Sequence, residues 1–162
     1  MNNTNADTAI KDCLNELNRI ERIINAEGST SPICSYLTKY ALIRTCGTIE
    51  VCYKTIIADY YERYSSELGS FITHHVRNAT RNGTYENICT ALKEFDETKR
   101  NNFKAVINSL PDKAIILSSM NSLNTARNNV AHGISSTLSF TDIKGHFNDA
   151  VKVIEKLDDE MK

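Results

Sequence analysis

Arg127 and His132, five residues apart in the run Arg127-Asn128-Asn129-Val130-Ala131-His132-Gly133, form a pair suited to acid–base and phosphate chemistry. Imidazole gives or takes a proton near neutral pH, and a planar guanidinium grips phosphate oxygens two at a time. One serves proton transfer, the other the negative charge that builds on a reacting phosphate. On an ideal helix Asn128 and His132 share a face, whereas Arg127 and His132 stand about 140° apart. Convergence on one substrate then requires a loosened helix end or a second copy of the motif. The same residues also describe a plain helix terminus, in which histidine suits the C-terminal dipole and Gly133 takes a left-handed C′ position. No other arginine of the chain is followed by histidine at this distance.

The remaining candidates carry less. His74 and His75 are adjacent and point about 100° apart on a helix, which suits neither a metal pair nor a shared site. No cysteine or carboxylate spacing completes a coordination sphere, so neither a metal nor a cofactor is expected. His146, beside Phe147, is expected at the surface. There is no glycine-rich phosphate loop, no Gly-x-Ser-x-Gly and no His-Glu-x-x-His. Cys13, Cys34, Cys46, Cys52 and Cys89 are dispersed without a C-x-x-C pair, the pattern of reduced thiols in a cytoplasmic protein.

The elements that must position the pair are helices. The chain has 162 residues, 41% hydrophobic and 24% charged, which fits one globular domain with a core of its own. Two prolines, six glycines and little period-two alternation argue against sandwiches and barrels. After a polar start expected to fray over residues 1–8, Ile10, Leu14, Leu17, Ile20 and Ile24 mark an amphipathic helix ending near Gly28. Ser31-Pro32 opens a long second helix over about 32–64. Its apolar residues occupy more than one face, so it must be central in the bundle or lie at an oligomer interface.

Shorter helices are expected over 66–80, 84–95 and 99–110, with a turn at Asn82-Gly83 and a stop at Pro111. Asp112 is placed to cap the helix that carries the motif, and Thr141 to open the last one. The fold class is therefore all-α, an up-and-down helical bundle with a long second helix. The Asn/Thr-rich start and the absence of any run of about 18 apolar residues argue against secretion and membrane insertion.

Arg127-Asn128 followed by Ala131-His132-Gly133, on the penultimate helix before a closing amphipathic one, resembles the R-x4-6-H signature of HEPN-domain ribonucleases. The likeness is strongest to the RiboL-PSP-type subgroup. The phrase Thr45-Cys46-Gly47-Thr48-Ile49-Glu50 on the long helix and an Asn102-Phe103 helix before the motif fit that subgroup too. The resemblance spans about residues 10–160. It implies a homodimer in which each chain brings one histidine, cutting RNA without a metal. It further implies a toxin or effector of bacterial conflict, with an antitoxin or sensor partner encoded nearby.

Local charge agrees with an RNA substrate rather than a global one. The formal net charge is −1, so no overall basic field recruits nucleic acid. Between Thr98 and His132, however, Lys99, Arg100, Lys104, Lys113 and Arg127 face the single acid Asp112, and the first four are candidate phosphate contacts. Glu50, where the subgroup commonly has glutamate, either orients Arg127 or His132 or pairs with Lys54 at i+4. DNA lacks the 2′-hydroxyl such chemistry needs. Two rivals remain: a noncatalytic HEPN binding or regulatory module, and the HEPN partner of a nucleotidyltransferase antitoxin. The second group typically carries tyrosine two residues after the motif histidine, and this chain has Ile134 there.

Overall fold

The computed structural model describes residues 1–28, 31–63 and 68–162. Four long helices form the frame: α1 (Thr4–Glu27), α2 (Pro32–Glu62), α6 (Lys113–Ala131) and α7 (Phe140–Glu160). Between α2 and α6 the chain makes α3 (Gly69–Ile72), a π-helical turn (Thr73–Arg77), α4 (Tyr85–Phe95) and α5 (Glu97–Asn108). Among the described residues there is no strand, and no helix is long and apolar enough to cross a membrane.

The directions of the long helices follow from the polar pairs that join them. Asn3 meets Asp59 and Glu16 meets Arg44, so α1 and α2 run antiparallel. Ser119 meets Asp149 and Asp112 meets Lys152, so α6 and α7 do the same. Asn3 meets Asp158 and Glu21 meets Lys144, which sets α7 antiparallel to α1. The result is an up-and-down bundle of the all-α class expected from the sequence.

Helix α2 is its axis. Ala41, Leu42, Cys46, Ile49, Cys52, Tyr53, Ile56 and Ile57 are buried on several faces, against α1, α6, α7 and the π-helical turn. Yet Ile33, Tyr36, Tyr40, Ile43 and Val51 remain exposed along the same helix. The overwide apolar character read from the sequence is thus divided between a central position and an uncovered stripe.

Several boundaries differ from the sequence reading. The start is not frayed from 1 to 8: α1 begins at Thr4, because the Asn3 side chain caps the Ala6 amide at 2.9 Å and Asp158 takes the backbone amides of Asn2 and Asn3. Helix α5 begins at Glu97, two residues early, under Asp96, whose carboxylate accepts from the Thr98 and Lys99 amides. Helix α7 opens at Ser139 rather than Thr141, through a reciprocal capping box with Asp142. Asp112 stands at the N-cap of α6 but spends its carboxylate on Lys152 at 2.9 Å. The helix expected over 66–80 proves to be α3 and the π-helical turn; residues 66 and 67 lie outside the described residues.

The Asp158 carboxylate is buried and satisfies two amides at the start of α1. Asp158→Ala strands those donors and should cost about 1–3 kcal/mol. Calorimetry should then show a thermal midpoint lower by about 2–4 °C for each kcal/mol lost.

Candidate functional site

The polar centre of the molecule forms where a loop over residues 78–84 crosses α2 and meets α6. Lys54 draws the loop in. It is only 6% exposed, so its ammonium must be paired where it sits. The partners are the Glu50 carboxylate, one turn back at 2.6 Å, and the Ala79 carbonyl of the loop. Tyr53 adds a hydroxyl bond to the Arg81 carbonyl at 3.1 Å. The loop lies so close to α2 that a Cβ on Gly83 would stand 2.7 Å from Ile49 Cγ2 and 3.2 Å from the Glu50 nitrogen. From α6, the Asn124 side chain reaches the Gly83 carbonyl at 3.4 Å.

Arg127 extends into this junction. Its Nη1 donates to Asn82 Oδ1 at 3.4 Å and to Asn128 Oδ1 at 3.2 Å. Both acceptors are neutral amides. Five arginines of the described chain are half-buried, and the other four, Arg44, Arg77, Arg81 and Arg100, each face a carboxylate. Arg127 alone among them faces none, so its charge is oriented but not neutralised. Burial pushes the Cys46 thiol up to about 12, while Arg127 opposes that rise and Glu50 adds to it. The cation and the carboxylate therefore bear on the same thiol, on either side of it in effect.

His132 ends α6. Gly133 has φ +76°, and the amides of Gly133 and Ile134 return to the carbonyls of Val130 and Asn129 at 3.1 and 2.8 Å. This is a Schellman closure, with glycine in the left-handed position that the sequence assigned to it. The imidazole is exposed and makes no side-chain hydrogen bond or ion pair among the described residues. Within one chain Arg127 is held toward the 78–84 loop, and nothing joins it to His132. Asn128, the next residue in the chain, accepts from Arg127 through its side-chain oxygen.

The other sequence candidates are placed as follows. Glu50 pairs with Lys54, the second of its two sequence readings. Lys99 donates to the Glu160 carbonyl at 2.6 Å and lies over the Tyr60 ring, and Arg100 pairs with Glu97. Lys104 on α5 and Lys113 on α6 have no carboxylate partner among the described residues. None of these four meets Arg127, and Lys113 sits about 21 Å away along α6. Sequence reasoning missed Asn82 and Lys54 as parts of the site. Asn82-Gly83 was legible only as a turn, and Lys54 only as a surface partner of Glu50.

A second polar group lies between α6 and α7. His146, expected at the surface, is half-buried with Nδ1 3.0 Å from Ser119 Oγ, and that hydroxyl donates to Asp149 at 2.8 Å. The serine proton points to the carboxylate and not to the imidazole, so this trio ties two helices and activates no nucleophile.

The chain is thus an antiparallel helical bundle in which the helix before the last carries Arg127 and ends at His132. The RiboL-PSP-HEPN family model matches residues 8–162, and the chain belongs to that family. HEPN domains are commonly ribonucleases. No curated protein and no solved structure matches the chain.

Gly83 sets how closely the loop approaches α2. Gly83→Ala should cost about 1–3 kcal/mol through the contact with Ile49. Gly145→Ala, in α7 with nothing within 4 Å of the added carbon, should instead be neutral or slightly stabilising. Urea titration of both variants checks the contrast.

Proposed function

We propose that the chain, read as a single HEPN domain, is an endoribonuclease that works as a homodimer. The observation that carries this reading is Arg127, a half-buried guanidinium aimed by two amide oxygens and left without a carboxylate. Such a group is a receptor for a phosphate oxygen. His132, exposed and free at the end of the same helix, supplies a proton carrier that can reach substrate outside the chain.

Strand cleavage by these groups balances simply. A neutral imidazole removes the proton of the ribose 2′-hydroxyl, and the oxygen attacks phosphorus. The bond to the 5′-oxygen breaks, and that oxygen takes a proton from an imidazolium while Arg127 holds the nonbridging oxygens. Two histidines in opposite protonation states are used, and each chain offers one at this site. The second comes from a two-fold mate.

The uncovered stripe on α2 supports such a mate. Tyr36 is 70% exposed, Ile43 53% and Val51 55%, an apolar face wide for a surface helix. Ile43 and Glu50 are seven residues apart, about 20° in rotation, so the stripe runs into the Glu50, Lys54 and Asn82 junction. Packing two copies of α2 along it would bring both Arg127 sites to one side of the interface. Lys104 and Lys113 are the cations left to track an RNA backbone beyond the cut. A defence or toxin role, with an antitoxin or sensor encoded nearby and action in the cytoplasm, belongs to the same reading.

A noncatalytic binding module is the rival, favoured by the Schellman closure that gives His132 a purely structural place. Cleavage of RNA by the wild type beside Arg127→Ala and His132→Ala decides between them. Both variants should lose cleavage by at least about 100-fold, with thermal midpoints within a few degrees of the parent. The 5′ fragment should end in a 2′,3′-cyclic phosphate and the other in a 5′-hydroxyl, read by mass spectrometry. DNA and 2′-methoxy RNA should be inert. Unfolding of both variants, or RNA binding without cleavage by the wild type, would favour the module. Light scattering should give twice the chain mass, and Ile43→Glu should give a monomer without cleavage; an active monomer would remove the two-histidine mechanism.

A further inference from the structure

We infer that Asn82 is a positioning residue of this site: its neutral side-chain oxygen aims the Arg127 guanidinium while leaving its charge free for an RNA phosphate, and Lys54 keeps Glu50 from taking that charge. The inference rests on the ribonuclease reading and adds to it a loop that the motif does not contain.

The placement of Asn82 is determined from several sides. Its carbonyl accepts from the Asn87 side chain at 3.0 Å and from the Thr84 amide at 2.9 Å. Its neighbour Gly83 is pressed on Ile49 and tied to Asn124, and its neighbour Arg81 is held by Tyr53 through the carbonyl and by Glu94 through the guanidinium. The Asn82 side chain is the part left to turn toward Arg127. An amide oxygen there fixes the direction of the fork and offers no net charge. A carboxylate in its place would form the kind of pair that occupies Arg44, Arg77, Arg81 and Arg100.

One such carboxylate is close at hand. Glu50 lies on α2 where the loop presses on it, its backbone nitrogen 3.2 Å from where a Gly83 Cβ would stand beside Asn82, yet its carboxylate is bound 2.6 Å from the Lys54 ammonium. Lys54 is fixed in turn by Ala79, from the loop that delivers Asn82. The 78–84 loop therefore does two things to one arginine. It provides a neutral holder, and through Ala79 it helps keep Glu50 on Lys54.

The test compares Asn82→Asp with Asn82→Ala, and Lys54→Met with the double variant Glu50→Gln/Lys54→Met. Binding of a 2′-methoxy RNA is measured over a range of salt, together with kcat, KM and thermal midpoint on cleavable RNA. Asn82→Asp should keep or raise the midpoint and weaken RNA binding by about tenfold. Its plot of log affinity against log salt should flatten by about one phosphate contact. Asn82→Ala keeps the charge of Arg127 and loses its aim, so the slope should stay while kcat falls. Lys54→Met should flatten the slope as Asn82→Asp does, and adding Glu50→Gln should restore it. A merely structural role would make alanine at least as damaging to binding as aspartate, and that result overturns the inference. So does an unchanged salt slope in both Asn82→Asp and Lys54→Met. A wild type that neither binds nor cuts RNA fails earlier and overturns the ribonuclease reading itself.

Discussion

A lysine ammonium buried in a helical core has to find partners, and in this protein the search organises the site. Lys54 sits on the central helix and is only 6% exposed, so the charge is tolerable only with Glu50 and the Ala79 carbonyl in place. Pairing with Glu50 needs only the helix. Pairing with Ala79 needs a loop from a distant part of the chain to lie flat on α2. Once the loop is there, Gly83 has no room for a side chain, Tyr53 and Asn124 find carbonyls, and Asn82 faces Arg127. Replacing the lysine by an apolar residue of similar volume would leave the packing largely intact and loosen this chain of consequences.

The second constraint is the composition of α2. A helix apolar on several faces can satisfy them in a bundle only by touching several neighbours, and α2 touches α1, α6, α7 and the π-helical turn. Its remaining face is bordered by α1, where Glu16 binds both Tyr40 and Arg44. The exposed residues Tyr36, Ile43 and Val51 therefore lie on a rigid, flanked surface rather than on a fraying end. Rigid apolar surface of this kind loses little entropy on being covered, which is why it weighs toward a partner copy. Catalysis by two histidines and burial of this stripe are separate demands that one two-fold axis would meet together.

The treatment of charge divides the molecule into structural and available cations. Arg77 bridges Asp59 and Glu62, and Lys152 bridges Asp112 and Asp149; these cations join elements and have little left to offer a ligand. Lys99, placed by sequence on an RNA track, likewise joins α5 to Glu160 on α7, whereas Arg100 pairs with Glu97 within α5. Arg127 differs through the identity of its neighbours rather than through exposure. An amide in place of a carboxylate changes the local charge by one unit with almost no change in shape.

The features legible in the sequence follow from local rules. Apolar residues at three- and four-residue spacing fixed the helices, Gly28 and Gly133 fixed two of their ends, and the arginine, asparagine and histidine of the motif, with the resemblance they carry, pointed to the family. Start signals were less legible, since Ser139 competes with nearby Thr141 for the same role and only its reciprocal hydrogen bonds with Asp142 decide. The tertiary structure alone decided the fate of the charges. Glu50 could pair along its own helix or across to Arg127, and Lys54 could be solvated or buried; both choices depend on whether a loop about 30 residues later packs on α2. Such contacts are set by shape and desolvation across sequence-distant elements, which no periodicity or spacing encodes. For that reason Asn82, an ordinary turn residue in the sequence, becomes part of the site only when the chain is folded.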